Sequence, residues 1–407
     1  MRVAIVGQGY VGLTITAGAV LAGHEVLGID NNRSLVDQLN GGISHIEGIS
    51  STFIFDAVNR GLYRATTSFE GARNANVVVI AVPTPLDALG LPDINLLESA
   101  CDTLAPHLSD KTLVINESTS FAGTLRQVIV KRITNINPKV RLFAVSPERV
   151  DPGNEKFGVR NTPRLVGGIN EASADLAVDF YTTFCDNVVK VSSPEVAESA
   201  KLLENSFRFI NIGFINEFAQ LMNSLNIPVS EVIEAASTKP YGFMPFFPNV
   251  GIGGHCIPVD PLYLQKNAED IGEKSRFIAL SESFNDEMPE YCVKRLEDIH
   301  GELNGKSVLI VGVSYKPNIA DTRESPAEHV IALLRKRGAI VTWHDPLVST
   351  FLGESSSPMD GEYDLAFVLV NHVKLDMKFW RGGPIYCVNA VKENSEWIPI
   401  LGNRSVE

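Results

Sequence analysis

The sequence places a thiol and a carboxylate four residues apart at the end of a glycine-rich turn, a combination suited to covalent catalysis. The turn reads Gly251-Ile-Gly-Gly-His-Cys256-Ile-Pro-Val-Asp260-Pro261. Glycine lets the backbone crowd against a ligand and adopt positive φ angles that other residues avoid. Cys256 is therefore open to attack a bound substrate, although on the turn alone a buried cysteine in a tight loop is the simpler interpretation.

A second group of residues, at the start of the chain, is suited to holding a dinucleotide. A short apolar strand at 3–6 leads into Gly7-Gln-Gly9-Tyr-Val-Gly12, which opens a helix, and a second strand at 24–29 ends in Asp30. With this spacing the glycines admit a pyrophosphate to the helix N-terminus, and the acid accepts hydrogen bonds from the adenosine ribose. Asp30 favours NAD over NADP, because it would repel the 2′-phosphate that Arg33 could otherwise meet. The predicted cofactor residues here are Gly7, Gly9, Tyr10, Val11, Gly12, Asp30 and Arg33.

Further polar residues follow the predicted strands at 76–82, 112–116 and 141–145, where the carboxyl ends of a parallel sheet place ligands. They are Thr84, Thr119 and Glu148. Each of these residue types is also common in turns and helix caps. Three of them after strands of a fold that binds a nicotinamide cofactor nevertheless favour a binding site. A cysteine beside a nicotinamide predicts an oxidation that passes through a thioester.

A long helix is predicted from Glu195 to Leu225, of the kind that joins two domains or carries a dimer interface. On it Lys201, Asn205 and Arg208 fall at i, i+4 and i+7, so they share one face. A solvated polar stripe is the simpler interpretation. Apolar residues flank these three closely, however, and favour a functional site on this face of the helix.

Residues 305–345 repeat the opening architecture, with a strand that ends at Gly312, a helix over 325–338 and a second strand. The glycine fingerprint is replaced by Gly312-Val-Ser-Tyr-Lys316-Pro317, so a second dinucleotide is not expected. Lys316 and Arg323 could instead hold a nucleoside diphosphate. We therefore expect an α/β protein with two Rossmann-like doubly wound domains joined by a long central helix.

The composition excludes several classes of function. The chain has 407 residues, 44% of them hydrophobic and 20% charged, which is typical of a globular enzyme of more than one domain. A formal net charge of -13 argues against nucleic acid or an anionic membrane as a partner. Five scattered cysteines predict a reducing cytoplasm without disulfides or a zinc site. We also expect no cleavable signal and no transmembrane helix.

Seven motifs in this order resemble those of the UDP-glucose/GDP-mannose dehydrogenase family, whose members oxidise a sugar C6 alcohol to its carboxylate with NAD. They are G-Q-G-Y-V-G at 7–12, V-P-T-P at 82–85, E-S-T at 117–119, S-P-E-R at 146–149, K-L-L-E-N-S-F-R-F-I-N-I at 201–212, G-G-H-C-I-P-V-D-P at 253–261 and Y-K-P-N-I-A-D-T-R-E-S-P at 315–326. The resemblance covers the chain from residue 1 to about residue 345, and so many spaced motifs are highly specific.

The resemblance implies a four-electron oxidation on one bound sugar, with two NAD molecules used in turn. Cys256 would carry a thiohemiacetal and then a thioester, while Lys201 and Asn205 stabilise the oxygen that gains negative charge. A thiohemiacetal gives up hydride more readily than a free aldehyde does. A nearby lysine and backbone amides would also lower the pKa of the thiol.

The resemblance also assigns residues to water and ligands. Asp260 and Thr119 would hold a water or the substrate hydroxyl, and Glu148 would help to activate the water that hydrolyses the thioester. Thr84, Thr119 and Arg323 would complete the cofactor site. The substrate would lie among Glu148, Arg149, Lys201, Asn205, Arg208, Phe247, Gly253, His255 and Lys316.

Three expected domains follow from the family: an NAD-binding domain at 1–192, a central helical dimerisation and substrate domain at 193–300, and a UDP-binding domain at 301–407. A homodimer or a higher homo-oligomer is implied. His255 and the aromatic run at 241–247 resemble the branch that acts on UDP-N-acetylhexosamines. We expect UDP-N-acetylglucosamine or an epimer, used for surface polysaccharide precursors, with UDP-glucose as the alternative.

Two other classes of protein stay open at this point. A two-electron 3-hydroxyacid dehydrogenase shares the N-terminal domain, the long helix and a helical Lys-x-x-x-Asn pattern, but it would need neither Cys256 nor a second Rossmann half. A catalytically silent relative should have lost the cysteine, the lysine or the aspartate, and Cys256, Lys201 and Asp260 are all present.

Overall fold

The chain folds into two compact units, seen in a computed structural model that describes residues 1–151, 154, 156–391, 394 and 396–401. The N-terminal unit comprises Met1–Glu204 with Leu262–Glu273, and the C-terminal unit comprises Asn205–Pro261 with Lys274–Glu407. The three domain boundaries expected from the sequence stay a prediction.

An eight-stranded sheet forms the centre of the N-terminal unit. Its strands are β1 (Arg2–Val6), β2 (Glu25–Ile29), β3 (Tyr63–Thr66), β4 (Val77–Ile80), β5 (Leu113–Asn116), β6 (Leu142–Val145), β7 (Arg164–Gly168) and β8 (Val188–Lys190). They lie in the order β3-β2-β1-β4-β5-β6-β7-β8. The first six are parallel in the doubly wound order, whereas β7 runs antiparallel to β6. The carboxyl ends of β4, β5 and β6 therefore share one edge.

Helices cover both faces of this sheet, because alternate residues of each buried strand point to opposite sides. On β1, Ile5 belongs to one apolar core and Val6 to the other, and both are buried. The helices are α1 (Tyr10–Leu21), α2 (Arg33–Asn40), α3 (Ser51–Asn59), α4 (Asn95–Leu104), α5 (Lys131–Ile136) and α6 (Glu171–Thr182), with a π-helical segment at Leu125–Val130 before α5 and 3₁₀ turns at Glu70–Asn74 and Ala105–His107.

The middle of the chain is helical, as the sequence predicted. It contains α7 (Pro194–Ser224), α8 (Val229–Ser237), α9 (Asp260–Asp270) and α10 (Arg276–His300). Helix α7 is 31 residues long and within one residue of the expected bounds at each end. Gly213 of α7 admits a close approach of α10, since a Cβ atom there would lie 2.8 Å from the Ser281 Cβ atom.

A five-stranded parallel sheet forms the centre of the C-terminal unit. In chain order, this part of the chain contains β9 (Ser307–Val311), α11 (Ala327–Lys336), β10 (Ile340–His344), the hairpin strands β11 (Thr350–Phe351) and β12 (Glu354–Ser355), β13 (Leu365–Val368), β14 (Ile385–Cys387) and β15 (Ile398–Pro399), with a 3₁₀ turn at Met377–Phe379. The sheet order is β10-β9-β13-β14-β15. The two mainly parallel sheets with flanking helices and the long helix α7 confirm the predicted fold class.

No helix in the described ranges is both long enough and apolar enough to cross a membrane.

Candidate active site

The glycines of the first strand-to-helix turn form a cradle for a phosphate. A Cβ atom on Gly12 would lie 1.8 Å from the Gly7 carbonyl oxygen, and one on Gly7, whose φ is +90°, would lie 2.4 Å from the Ala81 carbonyl oxygen. Neither position tolerates a side chain. Gly9 precedes α1 and faces open space, and Tyr10 and Val11 form the first turn of that helix. The α1 N-terminus, with its free N–H groups and positive dipole end, is therefore accessible to an anion.

Asp30 lies against this cradle at the end of β2. Its carboxylate accepts hydrogen bonds from the backbone N–H groups of Gln8, at 2.8 Å, and Asn32, at 2.9 Å. Arg33 is largely exposed at the start of α2 and forms an ion pair with Asp37, with 3.2 Å between Nε and Oδ1. The position of Asp30 beside the glycines suits the ribose of a dinucleotide, and the residues present therefore fit NAD.

Thr84 and Thr119 follow β4 and β5 at the common edge of the sheet. The Thr84 carbonyl accepts a hydrogen bond of 3.2 Å from the hydroxyl of Tyr263, on α9. The loop that carries Thr119 is held at Ala122, whose N–H donates to the Asn267 side chain, also on α9, at 2.8 Å. Two residues of α9 thus anchor the loops that contain the two predicted threonines.

Glu198, on α7, holds the loop after Thr119 from another side. Its carboxylate accepts hydrogen bonds from the N–H groups of Gly123, at 2.6 Å, and Leu125, at 2.9 Å. Burial raises the pKa of Glu198 to about 7, since it outweighs the stabilisation that the two N–H groups give to the charged form.

Glu148 follows β6 and is almost fully buried. Its Oε1 atom accepts hydrogen bonds of 2.7 Å from the N–H groups of both Arg149 and Val150, and its Oε2 atom accepts one of 2.9 Å from Arg164. Burial opposes ionisation, but these donors together hold the pKa of Glu148 below its ordinary value. Glu148 is therefore an ionised carboxylate with a fixed orientation.

Arg149, a predicted substrate residue, is also held in place by hydrogen bonds of its side chain. Its guanidinium donates to both carboxylate oxygens of Glu204, at 3.1 and 2.6 Å, and to the Pro163 carbonyl at 2.7 Å. Glu204 lies on α7 three residues after Lys201. Arg149 therefore ties the loop after β6 to the helix that carries the predicted lysine.

Helix α7 carries the three residues that the sequence placed on one face. Lys201 is half-buried, Asn205 is buried and Arg208 is exposed. The Asn205 side-chain amide donates to Asp260 Oδ2 at 2.5 Å, which brings together two predicted catalytic residues. Asp260 begins α9, and its own N–H donates to the Cys256 carbonyl at 2.8 Å, so the turn after the cysteine is closed.

Cys256 differs from the other cysteines in its exposure. Cys101, Cys185, Cys292 and Cys387 are buried, whereas Cys256 is partly exposed. Burial raises the pKa of Cys101 and of Cys387 to about 12, which makes these thiols poor nucleophiles. The Sγ atom of Cys256 lies 3.7 Å from Nδ1 of His255, an exposed side chain. Among the five thiols, Cys256 is the one placed to react with a ligand.

The cysteine loop packs against the segment at 315–326, which contains Lys316 and Arg323. A Cβ atom on Gly253 would lie 2.7 Å from the Tyr315 Cβ atom, and the Gly254 N–H donates to the Arg323 carbonyl at 3.0 Å. Burial opposes ionisation of Asp321, but the Arg323 guanidinium, 2.9 Å away, holds its pKa below the ordinary value. Within this unit the structure therefore brings Arg323 to the cysteine loop.

Lys316 and Phe247 were predicted as substrate residues in the same unit. Lys316 is half-buried in the loop after β9, and Phe247 exposes about half of its surface (55%) before the glycine turn. An exposed aromatic ring of this kind can pack against a ligand.

Models of one protein family match most of the chain. The NAD binding domain of the UDP-glucose/GDP-mannose dehydrogenase family matches residues 1–185, its central domain residues 195–287, and its UDP binding domain residues 309–375. The chain belongs to the UDP-glucose/GDP-mannose dehydrogenase family. As a member of that family it is an NAD-dependent oxidoreductase with a UDP-binding domain, which confirms the predicted enzyme class, cofactor and nucleotide.

Several relatives in this family resemble the chain over nearly its whole length. The UDP-N-acetyl-D-mannosamine dehydrogenase of Pyrococcus horikoshii is 33% identical over 94% of this chain and 92% of its own. The UDP-N-acetyl-D-glucosamine 6-dehydrogenase of Pseudomonas aeruginosa is 32% identical over 91% of this chain and 90% of its own. The solved structure of a UDP-glucose dehydrogenase from Pyrobaculum islandicum is 27% identical and covers 98% of this chain and 97% of its own, with a TM-score of 0.89.

Several residues that support the site were not found by sequence reasoning, among them Asn267 and Glu204. Glu198 and Tyr263 hold the loops of the two threonines, and Arg164 pairs with Glu148. Glu198 precedes Lys201 by three residues on the same helix face, so helical spacing could have found it. Tyr263 and Arg164 gave no local signal, because their partners are distant in sequence.

Proposed function

We propose that this member of the UDP-glucose/GDP-mannose dehydrogenase family oxidises the C6 hydroxyl of a UDP-sugar to a carboxylate through a thioester on Cys256. The observation that carries the proposal is the partial exposure of Cys256 in a glycine turn closed by Asp260, while the other four cysteines are buried. A dehydrogenase that stopped at a two-electron product would need no such thiol.

The proposed reaction proceeds in two oxidations and a hydrolysis. The alcohol first loses a hydride and a proton to give the aldehyde, and Cys256 adds to it as a thiolate. The resulting thiohemiacetal loses a second hydride and becomes a thioester. Water then adds to the thioester carbon, the carbon–sulfur bond breaks, and the acid and the free thiol result. Each oxidation uses one NAD, which accepts the hydride.

Residues on α7 and in the adjoining loops supply the remaining roles. We assign Lys201 and Asn205 to the oxygen that gains negative charge, a contribution worth on the order of 3 kcal/mol for one donor. Asp260, fixed by Asn205, holds a water or the sugar hydroxyl together with Thr119. Glu148 is ionised and accepts from backbone N–H groups, so it serves as an oriented acceptor for the hydrolytic water.

The residues proposed for the two ligands come from all three matched domains. We assign NAD to Gly7, Gly9, Tyr10, Val11, Gly12 and Asp30, with Thr84, Thr119 and Arg323 as further contacts. Arg33, which forms an ion pair with Asp37, has the weakest support among the proposed cofactor residues. The substrate is assigned to Glu148, Arg149, Lys201, Asn205, Arg208, Phe247, Gly253, His255 and Lys316.

The proposed sugar is N-acetylglucosamine or an epimer. The support is the names of the curated relatives, which include a UDP-N-acetyl-D-mannosamine dehydrogenase and a UDP-N-acetyl-D-glucosamine 6-dehydrogenase that align with more than nine-tenths of the chain. UDP-glucose is the second candidate, because the structure of a UDP-glucose dehydrogenase superimposes with a TM-score of 0.89. The acid product would serve as a precursor of a surface polysaccharide.

We further propose that the enzyme is a cytoplasmic homodimer or higher homo-oligomer assembled through α7. The helix exposes Phe207, Phe214 and Leu221, which are spaced by seven residues and so form an apolar stripe along one side. Exposed apolar stripes on a helix typically mark protein interfaces. The cytoplasm supplies both NAD and UDP-sugars.

The proposed function is tested by counting NADH formed per UDP-sugar consumed, for UDP-N-acetylglucosamine, UDP-N-acetylmannosamine, UDP-N-acetylgalactosamine and UDP-glucose. Two NADH per sugar with an N-acetylhexosamine supports the proposal and identifies the epimer. Two NADH with UDP-glucose alone shifts the substrate to the second candidate. One NADH per sugar would refute the four-electron reaction.

A further inference from the structure

Glu148 belongs to a buried cluster of polar and charged residues in the N-terminal unit. Glu117 follows β5, Glu148 follows β6, Arg164 begins β7, and Tyr181 lies on α6. The side-chain exposures are 4% for Arg164, 0% for Glu117 and 10% for Glu148. Buried charges are tolerated only when paired and hydrogen-bonded, so this arrangement constrains all of its members.

Arg164 is the centre of the cluster. Its Nη1 atom donates to Glu117 Oε2 at 2.7 Å and to the Ser146 hydroxyl at 3.3 Å, while Nη2 donates to Glu148 Oε2 at 2.9 Å. The guanidinium carbon lies 4.6 Å from the centre of the Tyr181 ring, and the Tyr181 hydroxyl donates to the other oxygen of Glu117. One cation is thus shared between two buried carboxylates, and it is fixed from three sides.

The two carboxylates differ in their charge near neutral pH. Burial raises the pKa of Glu117 to about 7, against the effect of Arg164 and in the same direction as the repulsion by Glu148. Burial also opposes the ionisation of Glu148, but Arg164 and two backbone N–H groups hold its pKa below the ordinary value. The remaining titratable groups that face Arg164 are Tyr181 and Cys185, and burial raises the pKa of both. Of the two carboxyl groups, Glu117 is therefore the one that titrates near neutral pH, while Glu148 is ionised there.

The hydrogen bonds of Glu148 leave one acceptor position for a ligand. A carboxylate oxygen has about two lone-pair sites. Oε1 uses both for the N–H groups of Arg149 and Val150, whereas Oε2 uses one for Arg164. The free position is therefore on the oxygen that Arg164 holds, and its direction depends on where that guanidinium is fixed.

We propose that Arg164 is a positioning residue that keeps the Glu148 carboxylate ionised and in a single orientation, with Glu117 and Tyr181 fixing Arg164 from the opposite side. The inference rests on the proposed function, in which Glu148 accepts a hydrogen bond from the water that hydrolyses the thioester. In that step the water oxygen bonds to the thioester carbon and the carbon–sulfur bond breaks. The proton of the water passes transiently to Glu148 and then to solvent.

The test separates hydride transfer from acid release. Arg164→Lys keeps the charge but lacks the planar guanidinium that donates to two carboxylates at once. Glu117→Gln removes the charge of Glu117; its amide oxygen can still accept from Arg164, and its NH2 group can donate to the Tyr181 oxygen. The matched control is Arg132→Gln, since Arg132 also donates to two carboxylates, Glu98 and Asp102, but on the surface of the same unit. Rapid-quench assays with the UDP-sugar that wild type turns over measure the NADH burst, the acid released and the mass of the acyl-enzyme.

Arg164→Lys should retain the NADH burst and the KM for NAD, release acid at least roughly tenfold more slowly, and accumulate acyl-enzyme, because a well-placed base contributes about 10²–10⁴-fold. Glu117→Gln should remove an ionisation near neutral pH from the acid-release profile. Arg132→Gln should match wild type. Should Arg164→Lys fail to fold, Tyr181→Phe removes only the hydroxyl that anchors Glu117 and should give the same pattern more weakly.

A second measurement is independent of turnover. Carbon NMR of labelled glutamate should show two carboxyl groups that titrate near neutral pH, Glu117 and Glu198, and one of these titrations should be absent in Glu117→Gln. The Glu148 signal should titrate at higher pH in Arg164→Lys. Unchanged Glu148 titration and wild-type acid release in the variants would overturn the positioning role while the proposed function stands. If the predicted titrations are observed but wild type gives neither an NADH burst nor an acyl-enzyme, only the proposed function is refuted.

Discussion

At the scale of single residues, Asp30 supports the fold and is proposed to bind the cofactor. Its carboxylate accepts hydrogen bonds from the N–H groups of Gln8 and Asn32, so it holds the glycine turn in place while its remaining acceptor positions are available to a ribose. A carboxylate at this position also repels the 2′-phosphate of NADP. Both effects depend on the negative charge rather than on the shape of the side chain.

Replacing Asp30 with asparagine should weaken NAD binding roughly tenfold, since a hydrogen bond to a charged group contributes about 1.5–3 kcal/mol. The preference for NAD over NADP should fall as well, because the repulsion of the 2′-phosphate is lost. The KM values for both cofactors measure the change. Asp56→Asn is the control, as Asp56 is an exposed carboxylate on α3. Unchanged affinity and selectivity in Asp30→Asn would remove Asp30 from the ribose site.

Some site residues were indicated by the sequence and others were not. The two groups differ in how far along the chain their partners lie. Asp30 and Asp260 lie at fixed offsets from glycines in their own motifs, so a local pattern indicates them. Arg164 is a lone arginine in a strand, and its partners Glu117 and Glu148 are 47 and 16 residues away. Only the antiparallel pairing of β7 with β6 brings that guanidinium to the edge of the sheet.

At the scale of elements, α7 joins the loops of the site through its side chains. Glu198 holds the loop after β5, and Glu204 holds Arg149 in the loop after β6. Lys201 lies between them on the same helix, and Asn205 follows one turn later. The helix therefore fixes the relative positions of Lys201 and of the two loops that carry Thr119 and Glu148.

Glu198 should make the stability of the protein depend on pH. Its pKa of about 7 lies above the ordinary value of 4.5, so the folded state binds its proton more tightly than the unfolded state does. This contribution is fully present below about pH 4.5 and is lost as the pH rises through 7, a change on the order of 3 kcal/mol. Denaturant unfolding across pH 4.5–8 should therefore show a smaller loss of stability in Glu198→Gln than in wild type.

The control for this prediction is Glu171→Gln, which changes an exposed carboxylate of the same unit. An equal pH dependence of the free energy of unfolding in Glu198→Gln and in wild type would show that burial does not hold the proton on Glu198.

The elements themselves were largely predictable from periodicity. Apolar runs located β1, β2, β4, β5, β6, β9 and β10, whereas β3, β7, β8, β14 and β15 were not predicted. Helical spacing located α7 to within one residue at each end. The direction of β7 was not predicted, since alternation of buried residues is the same for parallel and antiparallel strands. Nor did the sequence indicate that Leu262–Glu273 belongs to the N-terminal unit, because that depends on contacts of Tyr263 and Asn267 with distant loops.

At the scale of the whole molecule, the proposed assembly depends on the apolar stripe of α7. Phe214 lies at the middle of the stripe and exposes 60% of its surface. A glutamate there would bring a charge into an apolar interface, which is unfavourable without a partner.

Phe214→Glu should therefore shift the protein from oligomer to monomer, as measured by sedimentation velocity over a range of concentrations. Leu176→Glu on α6, another exposed apolar position, should leave the sedimentation coefficient unchanged. A wild-type oligomer in Phe214→Glu would exclude this side of α7 as the interface.

The most direct test of the proposed chemistry is the rate at which Cys256→Ser forms the sugar acid in the presence of NAD. Cys101→Ser, at a buried thiol, serves as the control for the substitution itself. If a thioester on Cys256 is obligatory, acid formation should fall roughly a thousandfold or more, as expected for a lost covalent nucleophile, while Cys101→Ser retains activity. Acid formation by Cys256→Ser at the wild-type rate would contradict the thioester mechanism.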